Sequence, residues 1–475
     1  MKTELFIGGQ WCKASDDATF PIIDPSTEKP IAEVSSATID DANRAIKIAD
    51  TAGKEWAKRS PRDRAEVLRK AWELLSSRRD DIAEYIVREN GKALPDAIGE
   101  TNYAIEFFRW YSEEAVRNYG EILTSPAGGN KIVVLQQPIG VSILVTPWNY
   151  PAAMATRKIA PAIAAGCPVI LKPASDTPLT ALLVAEILAE AGIPDGVMNV
   201  IPSRRSGEIV SAMLHNPLVR KLSFTGSTEV GRNLLKEASD CVVNCSMELG
   251  GNAPFLVFDD ADIDDAVSGA MIAKMRNGGE ACTAANRFYV HDKVHQEFSE
   301  KFSSAMSAMK VGPGLEPGVE LGPMVNEWAI KDIDVLVQDA KNKGAEVLAG
   351  GAPLDQLGYY YPPTVLANVS TDAKILKEEV FGPVAPIVSF TEDDEVVDLA
   401  NNTEYGLVSY LYTKDSGRGL AISERLDAGM IGLNRGLVSD PAAPFGGTKQ
   451  SGLGREGSHD GMMEYMEKKY IAVEW

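Results

Sequence analysis

The 475-residue sequence predicts an α/β protein with two doubly wound, Rossmann-like sheets and a small additional β unit. Within residues 140–250, apolar runs of strand length alternate with helical segments, and a second α/β unit follows over residues 254–444. A strand-like run near the end of the chain, residues 469–473, belongs to neither unit. Because the chain is long for a single hydrophobic core, two or three domains are expected.

The first 119 residues are predicted to form short strands followed by helices. Residues 6–11 read as strand, turn and strand, since two glycines interrupt the apolar run. From residue 40 to about residue 119 the pattern is helical, and Ala65, Leu68 and Leu75 recur at helical spacing. These three side chains are expected to pack in a core.

Residues 140–250 are predicted to form the first doubly wound sheet. Ligands of such sheets bind at the carboxyl ends of the parallel strands. The segment has no Gly-x-Gly-x-x-Gly fingerprint, and Gly226 and Ser227, ahead of Gly231, form only a weaker candidate for a phosphate-binding turn. The predicted strands are residues 141–145, 169–171, 198–201 and 221–224.

The second α/β unit begins with an apolar strand at residues 255–258, and helices are expected around 263–274 and 294–309. Residues 469–473 are predicted to form an exposed terminal strand. Since an unpaired apolar edge favours association, the sequence predicts an oligomer.

Composition excludes several classes of partner. The chain is 45% hydrophobic and 24% charged, with a formal net charge of −20, so neither nucleic acid nor a membrane is an expected partner. No signal peptide or run of about 18 apolar residues is evident, which favours a cytoplasmic protein. The five cysteines are scattered, which suits a reducing compartment. Cys241 and Cys245 lack a second Cys/His pair, so no metal site is expected.

Two short glycine-containing motifs carry the chemistry. Glu248 precedes Leu-Gly-Gly, and Cys282 follows Gly-Gly-Glu-Ala. A thiolate attacks a carbonyl carbon, and a carboxylate can then activate water against the resulting thioester. Glycines let a substrate approach backbone N–H groups that face a developing oxyanion. Taken separately, the cysteine could be a small buried hydrophobe and the glutamate could simply end a strand.

Five further motifs precede and follow these two along the chain. In their order and spacing, all seven motifs resemble those of the aldehyde dehydrogenase superfamily, and the resemblance covers essentially the whole chain. The motifs are Thr-Pro-Trp-Asn-Tyr-Pro at 146–151, Leu-Lys-Pro-Ala-Ser at 171–175, Phe-Thr-Gly-Ser at 224–227, Glu-Val-Phe-Gly-Pro at 379–383 and Pro-Phe-Gly-Gly at 444–447.

The resemblance implies a division of the chain into three parts. Residues 1–116 and 139–247 would form the NAD(P)-binding domain, and residues 248–445 the catalytic domain. Residues 117–138 and 446–475 would form a small oligomerisation sheet, so that a homodimer or homotetramer is expected.

The same resemblance assigns the catalytic roles. Cys282 would be the nucleophile, with a pKa lowered by surrounding donors and by the charge of the cofactor. Its backbone N–H and the side-chain amide of Asn149 would hold the oxyanion, although Asn149 alone could equally be a turn residue. After hydride leaves for the nicotinamide, Glu248 would deprotonate water to hydrolyse the thioester. Glu280 is a rival base by proximity, at a position where relatives often have glutamine.

The cofactor is expected to be NADP or NAD, with NADP favoured. Ser175 stands where NAD-preferring relatives commonly have a glutamate that would repel the 2′-phosphate of NADP. Lys172 would add positive charge, while Arg204 and Arg205 could reach the phosphate or be ordinary exposed loop charges. Thr146, Trp148, Lys172, Ser175, Gly226, Ser227, Glu379 and Phe381 are the expected cofactor-binding residues.

Several stretches resemble one branch of the superfamily, the succinate-semialdehyde dehydrogenases. Arg157, Arg276 and Ser439 match the residues that clamp the substrate carboxylate in that branch, and arginine is well suited to the task. Arg157 could also be a surface charge next to Lys158. Some members of the branch have a second cysteine two residues after the nucleophile. Here Ala284 stands at that position, so no redox switch is expected.

Other functions remain open on the sequence. Glutarate semialdehyde or another aliphatic aldehyde could be the small-molecule substrate. A non-catalytic structural relative is a remoter alternative, and the intact set of Asn149, Glu248 and Cys282 argues against it. A CoA-acylating enzyme would use the same thioester, but such relatives tend to lack the glutamate that Glu248 matches.

Overall fold

The protein is described here by a computed structural model that covers residues 1–474. Strands and helices alternate along the chain, as the sequence predicts. The strands are, in chain order, β1 (Leu5–Ile7), β2 (Gln10–Cys12), β3 (Thr19–Asp24), β4 (Lys29–Ser35), β5 (Glu121–Thr124), β6 (Lys131–Pro138), β7 (Val141–Val145), β8 (Val169–Lys172), β9 (Met198–Val200), β10 (Val219–Thr225), β11 (Asn244–Glu248), β12 (Ala253–Val257), β13 (Ala285–His291), β14 (Glu346–Ala349), β15 (Thr364–Ala367), β16 (Val384–Phe390), β17 (Val408–Tyr412), β18 (Met430–Leu433), β19 (Gly452–Leu453) and β20 (Met466–Val473).

The helices pack on the faces of the sheets and in a bundle near the N-terminus. They are α1 (Ile39–Trp56), α2 (Pro61–Ser77), α3 (Arg79–Asn90), α4 (Leu94–Glu114), α5 (Pro151–Ala165), α6 (Leu179–Glu190), α7 (Ser206–Leu214), α8 (Thr228–Ser239), α9 (Ile263–Met275), α10 (Asp292–Ser307), α11 (Glu327–Asn342), α12 (Asp393–Asn401), α13 (Ser416–Arg425) and α14 (Asp460–Met463). Within residues 1–474, none of these helices combines the length and the apolar character needed to cross a bilayer.

The first large sheet has eight strands in the order β19-β11-β10-β7-β8-β9-β1-β2. The central strands are parallel, and all five residues of β7 are buried, as expected for a strand covered on both faces. The chain passes from β7 through β8 to β9 in one direction and continues from β10 to β11 on the other side of β7. The strand order therefore reverses between β7 and β10, which is where such sheets bind ligands.

The second large sheet has seven strands in the order β14-β15-β16-β13-β12-β17-β18, parallel except for the β14-β15 pair. Its apolar core is separate from the cores on the two sides of the first sheet. The expected fold class, two doubly wound α/β units with a small β sheet, is confirmed.

The small sheet consists of β5, β6 and β20 in the order β20-β6-β5, all antiparallel. The predicted terminal strand is present as β20, and it pairs along its full length with β6. The short strand β19, also within residues 446–475, instead joins the edge of the first large sheet beside β11. The division of the chain into three domains stays a prediction.

Candidate active site

A cavity of about 490 Å³ opens at the strand-order reversal of the first sheet. Four neighbouring strands, β8, β7, β10 and β11, end at the same edge, so the loops that follow them meet there. The segment between α9 and β13, which carries Cys282, reaches the same space. Most of the site residues expected from sequence line this cavity: Thr146, Trp148, Asn149, Lys172, Ser175, Gly226, Ser227, Cys282, Glu379 and Phe381.

Cys282 is presented by a left-handed turn. Asn277, Gly278 and Gly279 have φ values of 57°, 61° and 78°. A Cβ atom on Gly279 would lie 2.2 Å from the Gly382 carbonyl oxygen, so this position requires glycine for both conformation and space. The turn leaves the Cys282 backbone N–H without a hydrogen-bond partner among residues 1–474. That N–H is therefore free to donate to an oxyanion.

The surroundings of the Cys282 thiol differ from the sequence expectation. Burial raises its pKa to about 12, and the cations of Arg157 and Arg276 only partly oppose this effect. This direction is opposite to the lowering expected from surrounding donors, because desolvation of the thiolate outweighs the two guanidinium charges, and the expected contribution of cofactor charge stays a prediction.

Asn149 lies in the cavity wall with Cys282, in the loop between β7 and α5. Its side-chain nitrogen donates to the carbonyl oxygen of Glu280 at 2.9 Å, which ties it to the nucleophile loop. An amide nitrogen has two N–H bonds, so one stays available for an oxyanion. The Asn149 carbonyl in turn accepts from Lys92 and from Asn277.

Glu248 ends β11 and is buried beside the cavity rather than in its wall. A Cβ atom on Gly251 would lie 2.3 Å from the Cys282 carbonyl oxygen, so the Gly-Gly pair lets the glutamate turn pack directly against the nucleophile loop. The Glu248 Oε2 atom has no hydrogen-bond partner within residues 1–474. Burial, and then the neighbouring Glu456 carboxylate, raise the pKa of Glu248 well above its usual value.

The side chain of Glu280, the rival base, contacts a different segment of the chain. Its carboxylate accepts a hydrogen bond from the Val325 backbone N–H at 3.3 Å, and the residue does not line the cavity. Burial raises the pKa of Glu280 to about 8. Glu248 is better placed than Glu280 to act beside the nucleophile, because its Oε2 has no hydrogen-bond partner in residues 1–474 and its charge acts on the Cys282 thiol.

A buried charge network, which the sequence did not predict, adjoins Glu248. Glu456 lies 2.5 Å from the Arg157 Nε through one oxygen and 2.5 Å from the Lys158 Nζ through the other. Burial opposes ionisation of Glu456, but these two cations outweigh it and hold its pKa below the usual range. One signal was available: two adjacent cations occur within α5, whose other residues are nearly all apolar, and buried charges must be paired.

Of the two arginines expected to clamp a carboxylate, Arg276 is the one without a salt bridge within 4 Å among residues 1–474. Its Nη2 donates to Thr283 Oγ1 at 3.1 Å, and the charge of the more distant, buried Asp96 carboxylate acts on it. Nearby, the buried hydroxyls of Tyr103 and Tyr150 also have no hydrogen-bond partner in the described chain. Arg157, by contrast, already shares the Glu456 carboxylate with Lys158.

Ser439 lies half-buried in the loop after β18. Its neighbours Val438 and Asp440 line a separate cavity of about 340 Å³ that Phe445 closes on one side. The Phe445 ring packs on the Arg157 guanidinium, with 4.2 Å between the guanidinium carbon and the ring centroid. Ser439 itself does not line this cavity, and no contact joins it to either Arg157 or Arg276 among residues 1–474.

The cavity has the features that a dinucleotide needs. Gly226 and Ser227 precede α8, so free backbone N–H groups at the helix N-terminus face the cavity. Lys172 ends β8 and is buried, and burial lowers the pKa of its ammonium to about 8. At the other end, the Trp148 and Phe381 rings meet edge to face with centroids 5.5 Å apart, and Glu379 accepts from the Gly251 N–H. These residues fit a nicotinamide dinucleotide.

The adenosine end of the cavity contains a carboxylate that the sequence reasoning missed. Asp176 lines the cavity next to Ser175. The two loop arginines take no part in the lining, since Arg205 is paired with Asp16 at 2.6 Å and Arg204 lies over the Phe20 ring. No cluster of three or more acidic, cysteine or histidine side chains that could hold a metal ion occurs within residues 1–474.

Comparisons with known proteins identify the relatives of this arrangement. Residues 11–471 match the model of the aldehyde dehydrogenase family. A succinate-semialdehyde dehydrogenase from Paenarthrobacter nicotinovorans is 52% identical over 93% of this chain and 98% of its own length. A 3-sulfolactaldehyde dehydrogenase from Pseudomonas putida is 45% identical over 100% and 97%. A glutarate-semialdehyde dehydrogenase from Pseudomonas putida is 44% identical over 99% and 98%.

Comparison with solved structures also finds dehydrogenases and related enzymes of the same fold. An NADP-dependent enzyme from Escherichia coli is similar with a TM-score of 0.98 and 43% identity, covering 100% of this chain and 98% of that one. An aldehyde dehydrogenase from Bacillus cereus in complex with NAD⁺ has a TM-score of 0.97 and 32% identity, with coverage of 100% and 97%.

Proposed function

Because the chain belongs to the aldehyde dehydrogenase family, we propose that it oxidises succinate semialdehyde to succinate with NADP or NAD as the hydride acceptor. The proposal is carried by Arg276, which precedes the nucleophile by six positions and forms no salt bridge within 4 Å among residues 1–474. A substrate with a free carboxylate at its far end would supply a direct ion-pair partner, in addition to the more distant charge of Asp96.

In the proposed mechanism the Cys282 thiolate adds to the aldehyde carbon. The oxyanion of the resulting thiohemiacetal lies between the free Cys282 N–H and the second N–H of the Asn149 amide. A bound nicotinamide supplies the acceptor for the hydride that this intermediate expels. Cys282 then carries a thioester.

Glu248 acts in the second half of the reaction. Its Oε2, which has no hydrogen-bond partner in residues 1–474, takes a proton from the water that attacks the thioester. Burial, and then the charge of Glu456, oppose the ionised form of Glu248, and the charges of Arg157 and Lys158 partly offset them. A hydrolytic base beside the thioester favours release of a free acid over transfer to CoA.

The choice among anionic aldehydes is the finer part of the proposal. The named substrates of the three relatives each carry an anionic group besides the aldehyde. The relative with the highest identity of the three is a succinate-semialdehyde dehydrogenase, which favours that substrate over glutarate semialdehyde and 3-sulfolactaldehyde. Arg276 suits all three aldehydes, so the distance between the aldehyde and the anionic group of the substrate decides among them.

NADP is the favoured cofactor, with NAD as a workable second. Ser175 offers a hydroxyl where a glutamate would repel the 2′-phosphate, and Lys172 supplies positive charge in the same wall. Asp176 works against this preference. Exchange of Ser175 for Glu should shift the ratio of kcat/KM toward NAD by at least about tenfold.

Assembly as a homodimer or homotetramer is proposed from the small sheet. Its exposed face and edges present apolar side chains, including Ile122, Leu123, Leu135 and Ile471. A second copy of the chain is the partner that would cover them.

Initial rates test the substrate proposal. The panel consists of succinate semialdehyde, glutarate semialdehyde, 3-sulfolactaldehyde and butanal, each with NADP and with NAD. We expect kcat/KM for succinate semialdehyde to exceed that for butanal by about thirtyfold or more, as for a buried charge pair. Equal or better oxidation of butanal would contradict the proposal.

A further inference from the structure

A buried ion pair outside the cavity contacts the loop that carries Asn149. Lys92 follows α3 and Glu100 lies in α4, and their side chains are 2% and 0% exposed. The Lys92 Nζ lies 2.7 Å from the Glu100 Oε2. Burying two charges is costly, and a buried ion pair is weak evidence of stabilisation by itself, so what the pair holds in place matters.

Lys92 holds the backbone of the oxyanion donor. Its Nζ donates to the Asn149 carbonyl oxygen at 2.7 Å and lies 4.3 Å from the centroid of the Tyr150 ring. The same carbonyl accepts from the Asn277 side chain at 3.1 Å, and Asn277 also donates to the Glu280 carbonyl. Lys92 therefore acts on the point where the Asn149 loop meets the nucleophile loop.

Glu100 holds the other end of the same loop. Its Oε1 accepts hydrogen bonds from the backbone N–H groups of Ala152 and Ala153 at 2.8 and 3.2 Å. These are orphan donors in the first turn of α5, and the residue at the N-cap position, Tyr150, provides no side-chain cap. Glu100 supplies the missing cap from 52 residues away.

We infer that Lys92 and Glu100 are positioning residues that hold the Asn149 amide in the geometry needed to bind the oxyanion. The ion pair ties the start of α5 and the Asn149 carbonyl to one rigid unit, so that residues 149–153 cannot shift relative to Cys282. The inference rests on the proposed function, since it presumes that Asn149 stabilises an oxyanion. Misplacement of such a donor by about 1 Å can cost as much as about a hundredfold in rate.

A nearby residue offers a matched control. Glu89, at the end of α3, is also buried and also caps a helix, by accepting from the N–H groups of Leu179 and Thr180 at the start of α6. It makes no hydrogen bond to residues 149–153 within the described chain. Loss of this carboxylate should lower stability without moving Asn149.

The test uses the full-length Lys92→Met variant with succinate semialdehyde and with butanal. We expect kcat/KM to fall by about tenfold or more for both aldehydes by the same factor, because the oxyanion forms at the aldehyde end. The rate of Cys282 alkylation by iodoacetamide and the affinity for NADPH should stay at the wild-type values, since neither involves an oxyanion.

A double-mutant cycle distinguishes positioning from general damage. If Lys92 acts through Asn149, the Lys92→Met/Asn149→Ala double variant should be no slower than Asn149→Ala alone. If Lys92→Met fails to fold, Glu100→Gln retains the shape and the capping oxygen but removes the charge. It should lower kcat/KM, again without adding to the loss in Asn149→Ala, while Glu89→Gln should keep wild-type kcat/KM.

Three results would overturn the inference alone: wild-type kcat/KM in both the Lys92 and Glu100 variants, losses that multiply with that of Asn149→Ala, or an equal loss in Glu89→Gln. A wild-type protein that is alkylated at Cys282 yet oxidises no aldehyde would overturn the proposed function instead, and this inference with it.

Discussion

At the scale of single residues, Cys282 and Glu248 lie in surroundings that favour the protonated form of both groups. Burial raises both pKa values, and the cations near them do not fully compensate. The reaction needs a thiolate first and a carboxylate second. Activity should therefore depend on pH through groups that titrate above their ordinary ranges.

The alkylation of Cys282 by iodoacetamide should report this directly. Because its pKa is raised to about 12, the thiolate fraction, and with it the rate, should keep rising with pH well above 9. Arg276 lowers the thiol pKa, so Arg276→Met should raise that pKa further and slow alkylation at every pH below it. A rate profile with a midpoint near the ordinary cysteine value of about 8.5 would contradict the burial argument.

Substitution of Arg276 and substitution of Arg157 should affect the oxidation of charged and neutral aldehydes differently. Arg276→Ala should reduce kcat/KM for succinate semialdehyde by about thirtyfold or more beyond the smaller loss for butanal, because both aldehydes need the Cys282 thiolate but only the charged substrate loses its partner. Arg157→Ala should slow both aldehydes, because it removes one of the two cations that neutralise Glu456. Initial rates with both substrates check this, and equal losses in Arg276→Ala would refute the clamp.

At this scale, the sequence predicted the residues that stand within recognisable motifs. Asn149, Glu248 and Cys282 stand in motifs that match the family, and the structure brings them together. The two adjacent cations in the apolar α5 indicated that a buried partner was needed, but Glu456 could not be identified as that partner, because it lies 298 residues from Lys158 and no local pattern joins them. The raised thiol pKa depends on burial, which the residue type alone does not reveal.

At the scale of elements, the site depends on how strands end. The ends of β8, β7, β10 and β11 lie at one edge, and a left-handed turn brings Cys282 to it. Apolar runs predicted most of these strands, because strands buried on both faces are apolar throughout. The glycines near the nucleophile predicted a close approach of the backbone. The contact between Gly279 and Gly382 could not be predicted, because it joins segments that are distant in the sequence.

Two glycines allow a matched test of that turn. Gly279→Ala would place a Cβ atom 2.2 Å from the Gly382 carbonyl oxygen, whereas Gly344, with φ of 92°, has open space around it. Gly344→Ala should cost only the left-handed strain, roughly 1–2 kcal/mol of unfolding free energy. Gly279→Ala should lower Tm more and also reduce kcat. Similar Tm values and full activity in both variants would show that the turn tolerates a side chain.

At the scale of the whole molecule, two large sheets frame the cavity and a small sheet stands apart. The terminal strand β20 pairs with β6 over eight residues, and the side chains of Tyr470 and Ile471 stay exposed. The sequence predicted an exposed strand here from its apolar residues. It could not predict that β6 is the partner, because strand pairing between distant segments leaves no local pattern.

Truncation tests the role of this sheet. Deleting the residues after Glu467 removes most of β20 and exposes β6, so the truncated chain should be monomeric or aggregated. Light scattering after size-exclusion chromatography measures the assembly, with the full-length chain as the control. A truncated chain that keeps the full-length assembly and activity would exclude β20 from the interface.

The central claim is that Cys282 carries an acyl group that Glu248 helps water to remove. The most direct measurement is the intact mass of the Glu248→Gln variant after incubation with succinate semialdehyde and NADP. We predict one added succinyl group, located by proteolysis on the peptide that contains Cys282, together with a single burst of NADPH. An unmodified Cys282 in a variant that still produces NADPH would contradict the account.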